Sequence, residues 1–317
     1  MKIGYTTMNT PADISPRVLG PLLESAGFDS IWIGEHSHIP VSRTTPYPTG
    51  GEMPWQYTTM MDPFISLTQI GEHTTDLILG LGVALPLEHD VLVLAKTVAT
   101  LDVLSAGRVQ FGVGVGWNQE ELANHSSVKW SLRYRALGEC VGALRSLWTD
   151  DESEYHGDFY NFEKLWSRPK PLQTPHPPIL FGAGGKLGTQ HTVSWADGWM
   201  PLDVTLGDVT KRVKKFREVA AAAAAAPAPR RGAAPHAAFT TDRRLGRLAD
   251  LHHPDPPPVD RQARPCQDHT RPIPVVRPDG AGQADFGRGD GLLVVVGRQT
   301  DAPFGKQQPG VLPKFAV

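Results

Sequence analysis

Apolar positions along this chain alternate between two periods. Residues 77–85 form a short apolar run broken by Gly80 and Gly82, which reads as a strand and not a core helix. In residues 91–104, Val91, Leu94, Ala95, Val98 and Leu101 recur at helical spacing, and Ser105-Ala106-Gly107 supplies the stop. Residues 109–115 are a second apolar run that closes on Gly114-Val115-Gly116-Trp117. A strand, a crossover helix and a strand buried on both faces predict a parallel βαβ unit. Ligands in parallel α/β folds sit at the carboxyl ends of the strands. Both strands here end in glycine, where the backbone must let something come close.

The same alternation runs on both sides of this unit. Residues 2–8 read as a first strand, and 14–26 as a helix opened by Ser15-Pro16 and stopped by Gly27. Residues 30–34 (SIWIG) are strand two, ending on Glu35-His36. A loop rich in Pro, Thr and Gly follows to about Trp55, then a helix over 63–74. After a helix at 132–148 the rhythm breaks: residues 154–162 alternate around Gly157-Asp158, which predicts a small inserted hairpin. Strand five is placed at 179–182, a helix from Gly184-Gly185 to about Trp195, strand six after Asp197-Gly198-Trp199, and one more helix over 209–226.

Composition changes after Glu218. From there to Val317 the chain has no Glu, Ser, Asn, Met, Tyr or Trp, and Ala, Arg, Pro, Gly and Asp dominate. Residues 252–265 have no hydrophobic period, and 291–297 (GLLVVVG) are the one strand-like run. Such a segment buries too little apolar surface to offset its chain entropy, so disorder is expected. The domain division is therefore residues 1–218, folded, and 219–317, an atypical tail. The tail has the composition of a GC-rich gene read out of frame; the alternative is a genuine extension on a truncated domain.

A net charge of −2 gives no reason to expect nucleic acid or an anionic membrane as partner. Two cysteines, Cys140 and Cys266, make neither a disulfide framework nor a zinc site, so no metal is expected. The first residues lack a basic stretch followed by an apolar one, and no apolar run reaches membrane-spanning length. A cytoplasmic location is the expectation.

The 77–121 unit, GFDSIWIGEH at 27–36 and FGAGGKLGTQHTVSWADGWMP at 181–201 together resemble the bacterial-luciferase-like superfamily, most of all its deazaflavin (F420)-dependent oxidoreductase branch. The resemblance spans roughly residues 1–218. It implies a TIM (β/α)8-type barrel with an insertion after strand four, incomplete here at about six strands. It also implies a cofactor across the carboxyl-end mouth: F420, or alternatively FMN. The implied activity is hydride transfer between deazaflavin and a small organic substrate. The alternatives are an FMN-dependent monooxygenase served by a flavin reductase, and a non-catalytic remnant. The resemblance leaves a homodimer open.

Site residues follow from the same placement. Glu35-His36 ends strand two, with Glu35 as pocket wall and His36 as the proton donor or acceptor; a His serves as base here in related F420-dependent dehydrogenases. Gly82-Val83-Ala84 matches the family's bulge with a non-proline cis peptide, against which the cofactor ring packs. Gly116, Trp117 and Asn118 follow strand four; Asn118 also suits a helix cap, with Glu120-Glu121 matching the helix dipole. Some sugar-phosphate dehydrogenases of the branch place a catalytic Glu where this chain has Trp117. Ala183-Gly184-Gly185-Lys186 outlines a phosphate site at a helix N-terminus. Asp197-Gly198-Trp199 reads as structural. Trp55, Trp130 and His125 are secondary candidates for the substrate pocket.

Overall fold

A computed structural model describes residues 2–201 and 209–225. The expectations for the tail beyond residue 225 lie outside the described residues. Among the described residues seven α-helices and eight strands follow one another as a βα series with one interruption. β1 (Gly4–Thr7), β2 (Ser30–Ile33), β3 (Ile78–Leu81), β4 (Val109–Val113), β7 (Ile179–Phe181) and β8 (Gly198–Trp199) form one sheet in sequence order. Every neighbouring pair in it is parallel, in registers such as Gly4↔Ser30 and Ser30↔Ile78. The interruption is the antiparallel hairpin of β5 (Ser153–His156) and β6 (Asn161–Leu165). This is the α/β barrel wall expected from the sequence, with the insertion after strand four. Among the described residues the six strands do not close into a ring.

The crossovers are α1 (Pro16–Ser25), α2 (Pro63–Glu72), α3 (Val91–Leu104), α5 (Arg133–Thr149) and α6 (Gly185–Trp195), preceded by a short α4 (Gln119–His125) and followed by α7 (Val209–Ala225). Their ends obey the local chemistry. Asp62 accepts from the Ile65 N–H to cap α2, and Asp90 accepts from Leu92 and Val93 to cap α3. Gly27 and Gly107, both at positive φ, follow the ends of α1 and α3. The helix start that Asn118 and Glu120-Glu121 suggested is observed as α4, with Asn118 accepting from the Glu121 N–H.

The core lies between sheet and helices. Ile31, Trp32, Ile33, Leu79, Leu81, Phe111 and Phe181 are fully shielded from solvent. Trp32 also explains Gly80. A Cβ on Gly80 would fall 2.2 Å from the Trp32 ring, so only glycine lets the indole cross the neighbouring strand. The indole N–H is satisfied by Ser30 Oγ at 2.9 Å. Asp197 accepts from the Ile179 N–H and Trp199 donates to the Ala183 carbonyl, the structural part expected of that turn.

Candidate functional site

The carboxyl ends of β2, β3, β4 and β7 open on one side of the sheet. At the end of β3 the Gly82–Val83 peptide is cis, as the resemblance implied. Glu35 donates its N–H to the Val83 carbonyl, and the Ala84 N–H reaches the Gly112 carbonyl, so the bulge is tied to both flanking strands. The glycines at the strand ends take on a different meaning here. A Cβ on Gly114 or on Gly182 would lie 2.6 Å from a Val83 methyl. What comes close to these two backbones is Val83 itself, seated between the ends of β4 and β7, and not an outside group.

His36 follows β2, and its side chain is 8 % exposed. Nδ1 stands 2.7 Å from Glu121 Oε2, and Nε2 stands 3.1 Å from the Trp117 indole nitrogen. An indole N–H can only donate, so Nε2 is the acceptor and the proton sits on Nδ1, donated to Glu121. The ring is neutral, its tautomer is set, and its one free lone pair is held by Trp117. Tyr57 and Trp117 pack edge-on against the imidazole, Tyr47 against both of them, and the Arg43 guanidinium lies 5.4 Å from the centre of the Trp117 ring. Burial and the neighbouring Tyr47 hydroxyl push the Tyr57 phenol up.

Glu35 lies beside this group but faces another way. One carboxylate oxygen accepts from the Leu85 N–H at 2.7 Å and the other pairs with His89 Nε2 at 2.8 Å. Both oxygens are thus engaged within the protein, where they hold the segment after the bulge. Burial alone would depress the His89 imidazole; the hydrogen bond and charge of Glu35, with Asp62, raise it above its ordinary value.

Gly116, at φ 70°, turns the chain out of β4 and delivers Trp117 to His36. Asn118 is 1 % exposed; its oxygen caps α4, but its Nδ2 has no hydrogen-bond partner. Glu120 reaches across the mouth. Its carboxylate accepts from the backbone and hydroxyls of Thr44 and Thr45, at 2.6 to 3.1 Å, and so ties down the loop after β2. The hydroxyls of Thr45 and then Thr44 hold this carboxyl down at about 2.

At the end of β7 the arrangement is bare. α6 starts at Gly185, which has φ 73°, and its N-cap Gly184 supplies no side-chain hydrogen bond. Gly184, Gly185 and Lys186 are exposed, while Ala183 is buried beneath them and accepts from Trp199. Open N–H groups at a helix start suit an anion, with Lys186 on hand as counter-charge.

The secondary candidates divide. His125 joins the mouth, with Ser37 Oγ 2.6 Å from its Nε2. Trp55 is mostly exposed, and Trp130 is covered by the Arg133 guanidinium at 3.8 Å. Sequence reasoning missed Glu121 as partner of His36, and Glu88, Tyr47, Tyr57 and Arg43 altogether. The sequence signal for Glu121 was its place one turn after Trp117. Among the described residues no group of three or more His, Cys, Asp or Glu is arranged to hold a metal, and no helix is long and apolar enough to cross a membrane.

The parallel barrel wall has counterparts among known proteins. The sequence profile of the luciferase-like monooxygenase family matches residues 18–252, and the chain belongs to that family. An uncharacterized protein of Mycobacterium tuberculosis is 41 % identical over 232 residues, covering 70 % of this chain and 79 % of its own. The F420-dependent glucose-6-phosphate dehydrogenase of Amycolatopsis mediterranei is 29 % identical over 63 % of this chain, a match spanning 57 % of the enzyme. The FMNH(2)-dependent dimethylsulfone monooxygenase of Pseudomonas putida is 32 % identical over 40 % of this chain and 36 % of its own. In fold, the crystal structure of the monooxygenase RslO1 from Streptomyces bottropensis superposes with a TM-score of 0.58 at 24 % identity, over 72 % of this chain and 68 % of that one. The characterised relatives include F420-dependent dehydrogenases and FMN-dependent monooxygenases.

Proposed function

We propose that this chain is an F420-dependent oxidoreductase that moves a hydride between deazaflavin and a small organic substrate bearing a hydroxyl or carbonyl group. The observation that carries this reading is His36, a neutral imidazole with an unprotonated Nε2 at a strand's carboxyl end and a carboxylate behind its Nδ1. When bound, the deazaflavin would accept or supply the hydride.

The remaining work falls to the chain's own residues. Once Trp117 yields its hydrogen bond, His36 Nε2 takes the hydroxyl proton of the substrate, and Glu121 stabilises the imidazolium that forms. The Gly82-Val83-Ala84 bulge and Gly116 would support the cofactor ring, with Trp117 and Asn118 beside it. The buried Nδ2 of Asn118, left without a partner, fits a polar acceptor on a ligand. Ala183, Gly184, Gly185 and Lys186 would hold the phosphate. Glu35 acts indirectly, by fixing the segment that follows the bulge.

The relative that is F420-dependent matches this chain over a longer stretch than the FMN-dependent one does, which supports F420 as the cofactor. Titration of the purified protein with F420 and with FMN separates the readings. Tight binding of F420 alone is expected; tight binding of FMN alone would replace this reading with a monooxygenase that needs a reductase partner. Binding of neither would favour the non-catalytic remnant.

A further inference from the structure

His36 is set up to accept a proton, yet in this arrangement it is closed off. Its side chain is 8 % exposed, and its one available lone pair, on Nε2, already receives the Trp117 indole N–H at 3.1 Å. Three aromatic rings block the approach. Tyr57 lies 5.2 Å from the imidazole centre and Trp117 lies 5.6 Å from it. Tyr47 lies 5.5 Å from Tyr57 and 5.7 Å from Trp117, and Tyr57 lies 6.0 Å from Trp117. Every pair is edge-to-face, the packing that brings rings into contact and leaves no room for a ligand between them. The rings come from three stretches of chain: Tyr47 from the loop after β2, Tyr57 from the turn Trp55–Thr59, and Trp117 from the segment between β4 and α4.

The two sides of this plug are held differently. The Trp117 side is anchored. Asn118, Glu121 and Leu122 are buried, and Glu121 holds His36 Nδ1 at 2.7 Å. The buried Glu88 carboxyl backs the turn at Gly116, where a Cβ would lie 3.8 Å from Glu88 Oε1. Burial first, then the charges of Glu121 and Glu35, push that carboxyl up to about 9, so it stands there neutral. The loop side is tied to α4 only by polar bonds at or near the surface. Glu120 accepts from Thr44 and Thr45, Asn124 Nδ2 donates to His38 Nε2 at 2.8 Å, and Ser37 Oγ stands 2.6 Å from His125 Nε2. The loop's ends are pinned, by Glu35 on one side and by the paired Asn9–Met61 bonds on the other. Water can replace the surface bonds at small net cost, whereas parting His36 from Glu121 leaves buried groups unmade. The loop, and not α4, is therefore the part that gives way.

We propose that the Trp117 indole holds the place of the substrate hydroxyl on His36, and that residues 37–60 are a lid whose lifting frees the indole to leave. The inference rests on the reading of His36 as the proton acceptor. The exchange conserves hydrogen bonds: Nε2 gives up an N–H donor and receives an O–H donor. It also selects. With the proton kept on Nδ1 by Glu121, a ligand that offers only a carbonyl sets two acceptors face to face and leaves Nε2 unmade. Trp117 takes no part in the proton transfer. It acts through His36 as a positioning residue, keeping Nε2 aimed at the spot the hydroxyl will occupy.

The test uses the full chain, isotopically labelled at the histidine ring nitrogens, without cofactor. In Trp117→Phe, which keeps a ring in the plug, the His36 Nε2 resonance should move downfield as it loses its donor, with Nδ1 unmoved. Cyclohexanol should return it toward the native position; cyclohexanone, of similar shape, should not. In the native protein cyclohexanol should move the Trp117 indole proton upfield, a measurement that stands if Trp117→Phe does not fold. The lid is read with diethylpyrocarbonate, which acylates an unprotonated imidazole nitrogen, the modified histidine being located by peptide mass spectrometry. Glu120→Ala should speed modification of His36 about tenfold, as expected when bonds to a charged group that hold a closed state are removed. An unmoved Nε2 resonance in folded Trp117→Phe, or equal responses to the alcohol and the ketone, would overturn the placeholder. Modification of His36 at the native rate in Glu120→Ala would overturn the lid. Either result leaves the proposed function standing, whereas full turnover in His36→Ala would overturn both.

Discussion

The two sides of the mouth solve different problems with different materials. At the end of β2, side chains do everything: both nitrogens of His36 are engaged, by Glu121 and Trp117, within a shell of tyrosines. At the end of β7, side chains withdraw: Gly184 and Gly185 leave the start of α6 uncapped and exposed. A proton acceptor needs a defined tautomer and a low-dielectric setting, and packing supplies both. An anion needs unshielded N–H groups, which glycine supplies by having nothing in the way. Proton handling and anion holding should therefore separate when each side is perturbed.

The largest effect is expected on the β2 side. His36→Ala should lower turnover about 100-fold or more, the usual worth of a positioned acid–base group, with F420 affinity nearly unchanged. Steady-state kinetics beside a binding titration would check this. A loss confined to binding would reassign His36 to packing and erase the contrast between the two sides.

The β7 side should respond the other way. Gly185→Val places a β-branched residue at φ 73°, where an added Cβ meets no neighbour but the backbone itself is strained, by about 1–2 kcal/mol. F420 affinity should fall about tenfold, with turnover at saturating cofactor kept. Isothermal titration of a folded variant would show it; unchanged affinity would remove the anion site.

The buried acid on the β2 side should also be visible in stability. Glu88 keeps its proton when folded up to about 9 but loses it near 4.5 when unfolded. Between those values the unfolded chain binds fewer protons, so stability falls as pH rises, by up to about 1.4 kcal/mol per pH unit. Urea midpoints across the window should drift downward in the native protein and flatten in Glu88→Gln.

The smallest effect concerns the latch between the loop after β2 and α4. Glu120 is held down at about 2, against 4.5 when free, so its contribution is present above 4.5 and is lost as pH falls toward 2. Because its hydrogen bonds lie at or near the surface, Glu120→Gln should leave global stability almost unchanged. It should nevertheless speed proteolysis within residues 37–60. No change in cleavage would show that the loop is held by its aromatic contacts alone.

Much of the wall was legible because its signals are local. The helix over 91–104 was placed to the residue, since its apolar spacing and the stop at Ser105-Ala106-Gly107 lie within its own window. His36 stood out through its place after a strand, and the Gly184-Gly185 pair through its place before a helix. Their meaning was less legible. Gly114 looked like an opening for a ligand, yet Gly114 and Gly182 both make room for Val83. Asn118 looked like a ligand contact or a cap, and the cap is observed.

The sequence by itself determined the order of strands and helices, the parallel sheet, the inserted hairpin and the strand ends where chemistry gathers. These follow from periods of two and 3.6 residues and from cap and turn chemistry, all readable within a few positions. Only the tertiary structure decided that Glu121 stands behind His36, that Trp117 holds its Nε2, and that the Glu88 carboxyl lies buried 3.9 Å from His125 Nε2. Residues 36 and 121 are neighbours because β2, β3 and β4 pair in parallel and bring their carboxyl ends together. Nothing within the reach of a local period encodes which side chains will then face each other.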